Sequence, residues 1–366
     1  MEGGFKQYFM RVLYLKHDLG ANTLKIYLLN FYNNLLCFNG VNAFFEPALW
    51  SAFKVKSITT KKALKNKEWV DKNFDLIVVN YKTDIGRIET RAGKDRTEKI
   101  IEISKAFKKP KGLFLNTARA SFMPPEEVLD SYDLIFKREI FKDLNKYNIS
   151  EENKKKICTT MISCPFIKIP KYKFLSPFFR FFYPRYKRNK KHKHDIFFCG
   201  SKVKKERNEE DRVNIWQRIK KEKFNSLGGI VYKRSKDKNI PEELLCEEFK
   251  GRKYIKAINS SKICLATEGI GEFTFRHLEL WCLGAFVLSN NSINKLDLPI
   301  KPIDGVHYVS FDNIDDMIEK IKYYLKHDEE REKIAQAGRK MFEEQYDVVK
   351  HGIYIKNNVI NKLNGK

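Results

Sequence analysis

Several things are scarce or missing in this sequence, and each absence narrows what the chain can be. No stretch of about eighteen uninterrupted apolar residues occurs, so no segment is suited to span a bilayer as a helix. The residues around Lys6 and Arg11 lack the long apolar centre and small-residue cleavage site of a secretory signal. The cysteines, Cys37, Cys158, Cys164, Cys199, Cys246, Cys264 and Cys282, are odd in number, scattered, and set mostly in apolar runs. They read as reduced, buried thiols of a cytoplasmic protein and not as a disulfide framework. No CxxC pair, no Cys/His cluster with zinc spacing and no Asp-x-Asp pair is present, so no metal site is expected.

Acidic residues are scarce too: 46 Asp and Glu face 71 Lys and Arg, a formal charge of +25. That excess attracts polyanions, whether nucleic acid, anionic headgroups or a phosphorylated substrate. Part of it is compositional, because lysine, asparagine and isoleucine are all abundant. What is present is enough apolar material: 366 residues with 42% hydrophobic content suffice for two domains, each burying its own core.

The first half alternates strand and helix patterns. An apolar run over 10–15 ends at Lys16-His17-Asp18-Leu19-Gly20 and predicts a strand and a glycine turn, then a helix over 22–38. Further strands are predicted at 41–45, 75–79, 113–115 and 132–136, with a helix over 97–107. Strands with apolar interiors between helices imply a parallel sheet covered on both faces. The pattern restarts at 195–201, a strand ending in Gly200-Ser201 and followed by the basic residues Lys202, Lys204, Lys205, Arg207 and Arg212. Strands are then predicted at 228–232 and 305–309, and helices over 242–258, 314–325, 330–344 and from Asp347 to about 363, with Asp312 to Asp316 capping the second.

Between the halves, residues 166–194 break the alternation with Pro170, Pro177 and Pro184, six residues from Phe178 to Tyr183 of which five are aromatic, and a basic run from Arg185 to Lys193. This reads as the interdomain connection. Aromatics beside dense cations suit an anionic membrane surface, where each cation contributes ~1 kcal/mol. They equally suit a solvated linker or single-stranded nucleic acid.

The most informative segment is Lys262 to Asn290. It reads as a strand (263–266), a glycine loop with Glu268, Gly269, Gly271 and Glu272, a helix over 274–283 and a second strand (285–288). A helix N-terminus beside such a loop holds phosphate through backbone N–H groups and the helix dipole. Arg276 and Glu279 share one helix face: arginine suits a diphosphate and carboxylate suits vicinal sugar hydroxyls. Phe275, Leu278, Trp281, Cys282 and Ala285 recur at helical spacing and read as core. On the plainer reading Arg276 and Glu279 form a salt bridge in a buried unit.

This segment resembles the donor-binding signature in the C-terminal half of GT-B glycosyltransferases, particularly the group-1-like and CgeB-like branches. The resemblance implies an α/β protein of two Rossmann-like domains facing a central cleft, with a C-terminal helix crossing back to the N-terminal domain. It implies an N-terminal acceptor domain at 1–165, a linker at 166–194, a donor domain at 195–345 and a crossover helix at 346–366. It further implies a metal-independent sugar transfer from a UDP- or GDP-linked donor to a glycan or glycolipid acceptor, with no other cofactor. By the same analogy Gly200, Ser201, Lys204, Arg212, Glu268, Gly269, Gly271, Glu272, Thr274 and Arg276 meet the donor, and Glu279 meets its ribose. Six residues separate Glu272 from Glu279 and ten separate Glu268 from Glu279, where related retaining families have seven, so the stereochemistry is not read.

For the base, the loop after the first strand projects into such a cleft, and His17 with Asp18 are the candidates. Arg119 and Arg138 follow other strands and are candidates for an anionic acceptor group. Two rival readings are a nucleic-acid-binding protein using Arg180 to Lys193, and a GT-B protein that binds glycan without catalysis. Nucleic acid leaves the glycine loop with its Arg-Glu pair unexplained. The expected location is the cytoplasm, including the surface of an anionic membrane.

Overall fold

The computed structural model describes residues 10–16, 45–82, 96–161, 192–202, 212–232 and 240–364. The first lobe holds β1 (Arg11–Lys16), α1 (Phe45–Ala52), β2 (Lys54–Thr59), α2 (Thr60–Leu64), α3 (Lys67–Asn73), β3 (Leu76–Asn80), α4 (Thr97–Lys105), β4 (Lys111–Leu115), α5 (Glu126–Asp130), β5 (Leu134–Lys137), β6 (Ile140–Phe141), α6 (Glu151–Lys156) and β7 (Ile157–Thr159). Six of these strands form one sheet in the order β2-β1-β3-β4-β5-β7, parallel throughout. Strand β3 is buried at all five positions, as a strand covered on both faces must be.

The second lobe holds β8 (His194–Gly200), α7 (Arg212–Lys221), β9 (Ser226–Val231), β10 (Leu245–Cys246), α8 (Gly251–Asn259), β11 (Ser261–Ala266), α9 (Phe275–Cys282), β12 (Phe286–Asn290), β13 (Leu296–Asp297), β14 (Val309–Phe311), α10 (Ile314–Lys326), α11 (Asp328–Gln345) and α12 (Val348–Asn364). Its parallel sheet runs β10-β9-β8-β11-β12-β14. From β8 the chain winds outward through β9 and β10, then returns to the other side of β8 as β11. The strand order reverses there, and such a switch point opens a crevice at the carboxyl ends of the strands.

Among the described residues, a strand pair and a helix join the lobes away from the glycine loop. Strands β6 and β13 pair antiparallel, one from each lobe, through Leu296 with Phe141 and Asp297 with Ile140. Helix α12 returns to the first lobe and lies on α1 so closely that a Cβ on Gly352 would fall 1.9 Å from Ser51 Oγ. The same helix accepts the Met161 N–H on His351 Nε2 at 3.1 Å and joins Tyr354 to Thr159 at 2.6 Å.

Three local expectations differ from the structure. Residues 242–258 are not one helix: a short 3₁₀ turn at Glu242–Leu244 leads into the edge strand β10, and α8 begins only at Gly251. Pro241 starts that turn, and Leu245 and Cys246 are drawn into the sheet beside Ile230 and Val231. Residues 305–308 form a turn, with Gly305 at φ +74° and its N–H on the Tyr308 carbonyl, and the strand starts at Val309. Phe45 opens helix α1 and is not the end of a strand. The helix expected at 22–38, most of the linker, and the candidates His17, Asp18 and Lys204 lie outside the described residues.

Candidate functional site

The glycine loop leaves β11 at Ala266 and reaches α9 at Phe275, so it lies at the switch point between β8 and β11. Arg212, at the start of α7, gathers the strand ends around it. Its Nη1 donates to the Ser201 carbonyl at 2.9 Å, its Nη2 to the Thr267 carbonyl at 3.2 Å, and its Nε to Thr267 Oγ1 and the Glu268 carbonyl at 3.0 and 3.1 Å. A planar, permanently charged fork suits this convergence of carbonyls better than an ammonium does. Loop shape is further set by the Glu268 N–H on Asn290 Oδ1 at 2.9 Å and the Gly269 N–H on the Gly271 carbonyl at 2.9 Å. Ile270 stands at the loop tip with 67% of its surface exposed.

Arg276 lies deeper, against β8. Its Nη2 donates to the Cys199 carbonyl at 2.6 Å, its guanidinium stands 5.0 Å over the Tyr254 ring, and its Nε is 3.6 Å from Glu279 Oε2. Tyr254 Oη donates to that same oxygen at 2.8 Å. The ion pair of the plainer reading therefore exists, and it also places a cation and a carboxylate beside the loop. Burial raises the Tyr254 phenol well above its ordinary range, with Arg276 opposing the shift.

Thr274 caps α9, and its N–H reaches His277 Nδ1 at 3.2 Å. With Nδ1 accepting, Nε2 carries the proton and meets Ser289 Oγ at 2.8 Å, whose hydroxyl points to the Ala266 carbonyl at 2.9 Å. This chain ties the helix start to both flanking strands. His277 is neutral: burial pushes its pKa down to about 4, with Arg276 and Arg212 pushing the same way.

The first lobe closes over the loop. Ala120 N–H donates to Glu272 Oε2 at 3.0 Å and Phe273 N–H donates to Glu139 Oε2 at 3.2 Å. Arg138 Nε donates to the Thr117 carbonyl at 3.2 Å, while Arg119 is exposed on the same turn.

The structure thus brings Gly200, Ser201, Arg212, Glu268, Gly269, Gly271, Glu272, Thr274, Arg276 and Glu279 together around the loop, while Arg119 and Arg138 belong to the part of the first lobe that receives it. Tyr254, Thr267, Asn290 and Ser289, which organise it, carry no local sequence signal. Tyr254 in particular reads as one apolar position of an ordinary amphipathic helix.

Residues 211–351 match the family model described as glycosyl transferase-like. No curated protein sequence matches. A glycosyltransferase from Rickettsia africae ESF-5 superposes with a TM-score of 0.54 at 11% identity, covering 98% of this chain and 99% of that one. Anabaena Alr3699/HepE, solved with UDP-glucose, gives 0.50 at 9% identity over 96% and 100% of the two chains. The lipopolysaccharide outer core galactosyltransferase WaaB, in its apo form, gives 0.51 at 12% identity over 96% and 100%.

Proposed function

We propose that this chain, a glycosyltransferase of GT-B architecture, moves a sugar from a nucleotide-sugar donor held by its C-terminal lobe to a glycan or glycolipid acceptor met by its N-terminal lobe. The observation that carries the reading is the convergence of Arg212, Arg276, the glycine loop and the start of α9 at the β8/β11 switch point, directly opposite the first lobe. A leaving diphosphate develops negative charge, and fixed cations and a helix N-terminus stabilise it without a metal ion. Gly200, Ser201, Lys204 and residues 268–274 line the diphosphate and sugar, and Glu279 takes the ribose hydroxyls. His17 or Asp18, next after β1 in sequence, serves as acceptor base, and Arg119 and Arg138 receive an anionic acceptor group.

HepE is described with UDP-glucose, which makes uridine nucleotides the first donors to test and guanosine nucleotides the second. We place its work in the cytoplasm, on an acceptor at an anionic membrane surface, and the charge of one face supports attraction to such a surface. Lys54, Lys56, Lys61, Lys62, Lys65 and Lys67 are all exposed along β2, α2 and α3, and none forms an ion pair with a described carboxylate. Among the described residues no helix is long and apolar enough to cross a membrane.

Thermal shift with a panel of UDP- and GDP-sugars, followed by donor hydrolysis and transfer assays, tests the reading. Binding and turnover of one nucleotide sugar is expected. Binding without turnover would leave a glycan-binding GT-B protein, and no nucleotide shift at all would reject the donor site.

A further inference from the structure

Where the first lobe meets the glycine loop lies a buried charge cluster that the transfer chemistry does not require. Lys137 and Glu139 each have 0% of their surface exposed. Glu139 Oε2 accepts the Phe273 N–H from the opposite lobe, while Oε1 is sealed from solvent with no hydrogen-bond partner. Lys137 Nζ donates to the Arg119 carbonyl at 2.7 Å. Tyr147 Oη donates to the Ala120 carbonyl at 2.6 Å and accepts the Phe141 N–H at 3.0 Å. Residues 117–120 are therefore held from below by Lys137, Arg138 and Tyr147, and their upper side receives the loop through Glu272.

Keeping such a cluster dry is costly. A buried charge loses its hydration, and its partners repay that only when geometry is good. Burial pushes the Glu139 carboxyl up to about 8, opposed by Arg138, and pushes the Lys137 ammonium down to about 8, opposed by Glu139. Parting the lobes would rehydrate both groups, so the arrangement has value only in the closed form. A static fold has no need of it, because the β6/β13 ribbon and α12 already join the lobes.

We propose that Glu139 is an inter-lobe latch, with Lys137 fixing the 117–120 turn beside it, and that Glu139, acting from the acceptor lobe, positions Gly271 to Phe273 for the nucleotide diphosphate. Glu139 is a positioning residue: it touches the loop backbone, and the loop touches the donor. Donor affinity is then coupled to lobe closure through one carboxylate. The inference rests on the donor-site reading, and its test separates the two.

The experiment compares the full-length protein with Glu139→Ala and Glu139→Gln in two measurements: amide hydrogen exchange at 271–273, and calorimetric affinity for UDP and UDP-glucose. Glutamine keeps an acceptor for the Phe273 N–H and alanine does not. In Glu139→Ala, exchange at Phe273 is expected to accelerate about tenfold and the Kd to rise about tenfold, the loss of one hydrogen bond. Glu139→Gln is expected to restore both to within about twofold, a rescue that loss of packing alone would not produce. Unchanged exchange or unchanged affinity in Glu139→Ala, or no rescue by Glu139→Gln, overturns the latch. If the unsubstituted protein binds neither nucleotide, the donor-site reading falls, and exchange at Phe273 alone decides whether Glu139 holds the loop.

Discussion

Gly271 meets Ala118 across the lobe boundary so closely that a Cβ on the glycine would lie 1.7 Å from the Ala118 carbonyl oxygen and 2.5 Å from Glu139 Oε2. The first neighbour is backbone and cannot turn aside. Gly271→Ala is therefore expected to cost about 1–3 kcal/mol, as overpacking does, or to displace the loop from the first lobe. Gly269→Ala meets only the ends of Arg212 and Thr274 at 3.3 Å and should cost clearly less. Urea denaturation of the two variants checks the order, and a larger loss at Gly269 would show that the lobe contact is looser than described.

Tyr254 and Glu279 give the second expectation. Tyr254→Phe removes the hydroxyl that donates to Glu279 Oε2 at 2.8 Å. The buried carboxylate then loses that hydrogen bond, so stability should fall by about 1–2 kcal/mol. Glu279→Ala should weaken nucleotide binding, because it removes the proposed ribose acceptor. Urea denaturation measures the first and calorimetry with UDP the second, and equal affinity in wild type and Glu279→Ala would remove that residue from the donor site.

Arg212 makes its contacts through three different nitrogens. A lysine cannot reproduce that fork, so Arg212→Lys is expected to behave nearly as badly as Arg212→Ala, each losing on the order of 2 kcal/mol or more. Thermal unfolding reads this directly. A lysine variant as stable as wild type would mean the loop is held by other means.

His351 predicts a pH dependence. Burial pushes its pKa down to about 3 in the folded protein, against 6.5 for an unperturbed histidine. The unfolded chain binds more protons between those values, so the contribution to stability is complete above about 6.5 and is lost as pH falls, by ~1.4 kcal/mol per pH unit at its steepest. Glu139, raised to about 8, works in the opposite sense. The difference between wild type and His351→Gln isolates the histidine. Urea midpoints at pH 7.5, 6.0 and 5.0 should converge as the pH falls, and parallel curves would reject a neutral His351.

Charge in the basic linker sequence, which suits an anionic membrane surface, supplies the last expectation. Replacing the cations between Lys187 and Lys193 with glutamine should reduce cosedimentation with anionic vesicles and leave neutral vesicles unaffected. Unchanged cosedimentation would remove that segment from any membrane contact.

Much of the scaffold was legible because its signals are local. Residues 76–79 are apolar throughout, and a short run of that kind reads as a strand buried on both faces. The unit from β11 through α9 to β12 was legible for a similar reason: two short apolar runs bracket glycines and an amphipathic helix. Strand β2 was not, because Lys-Val-Lys-Ser-Ile-Thr lies at the sheet edge, half exposed, with little apolar signal. Strand β10 is two residues long and has no period to detect. Within the site, Arg276 and Glu279 were visible as a helix-face pair, whereas Tyr254, 25 residues away from Glu279, was not.

The sequence by itself determined the alternation of strands and helices, the restart at 195 and the glycine loop before α9, since backbone propensity, side-chain period and turn chemistry each act within a few residues. Only the tertiary structure decided which groups face one another across the crevice. Glu139 meets the Phe273 N–H over 134 residues, and Glu272 meets the Ala120 N–H over 152. Those pairings follow from where two sheets come to rest and from the need of buried polar groups to find partners there, and no short window of sequence contains that information.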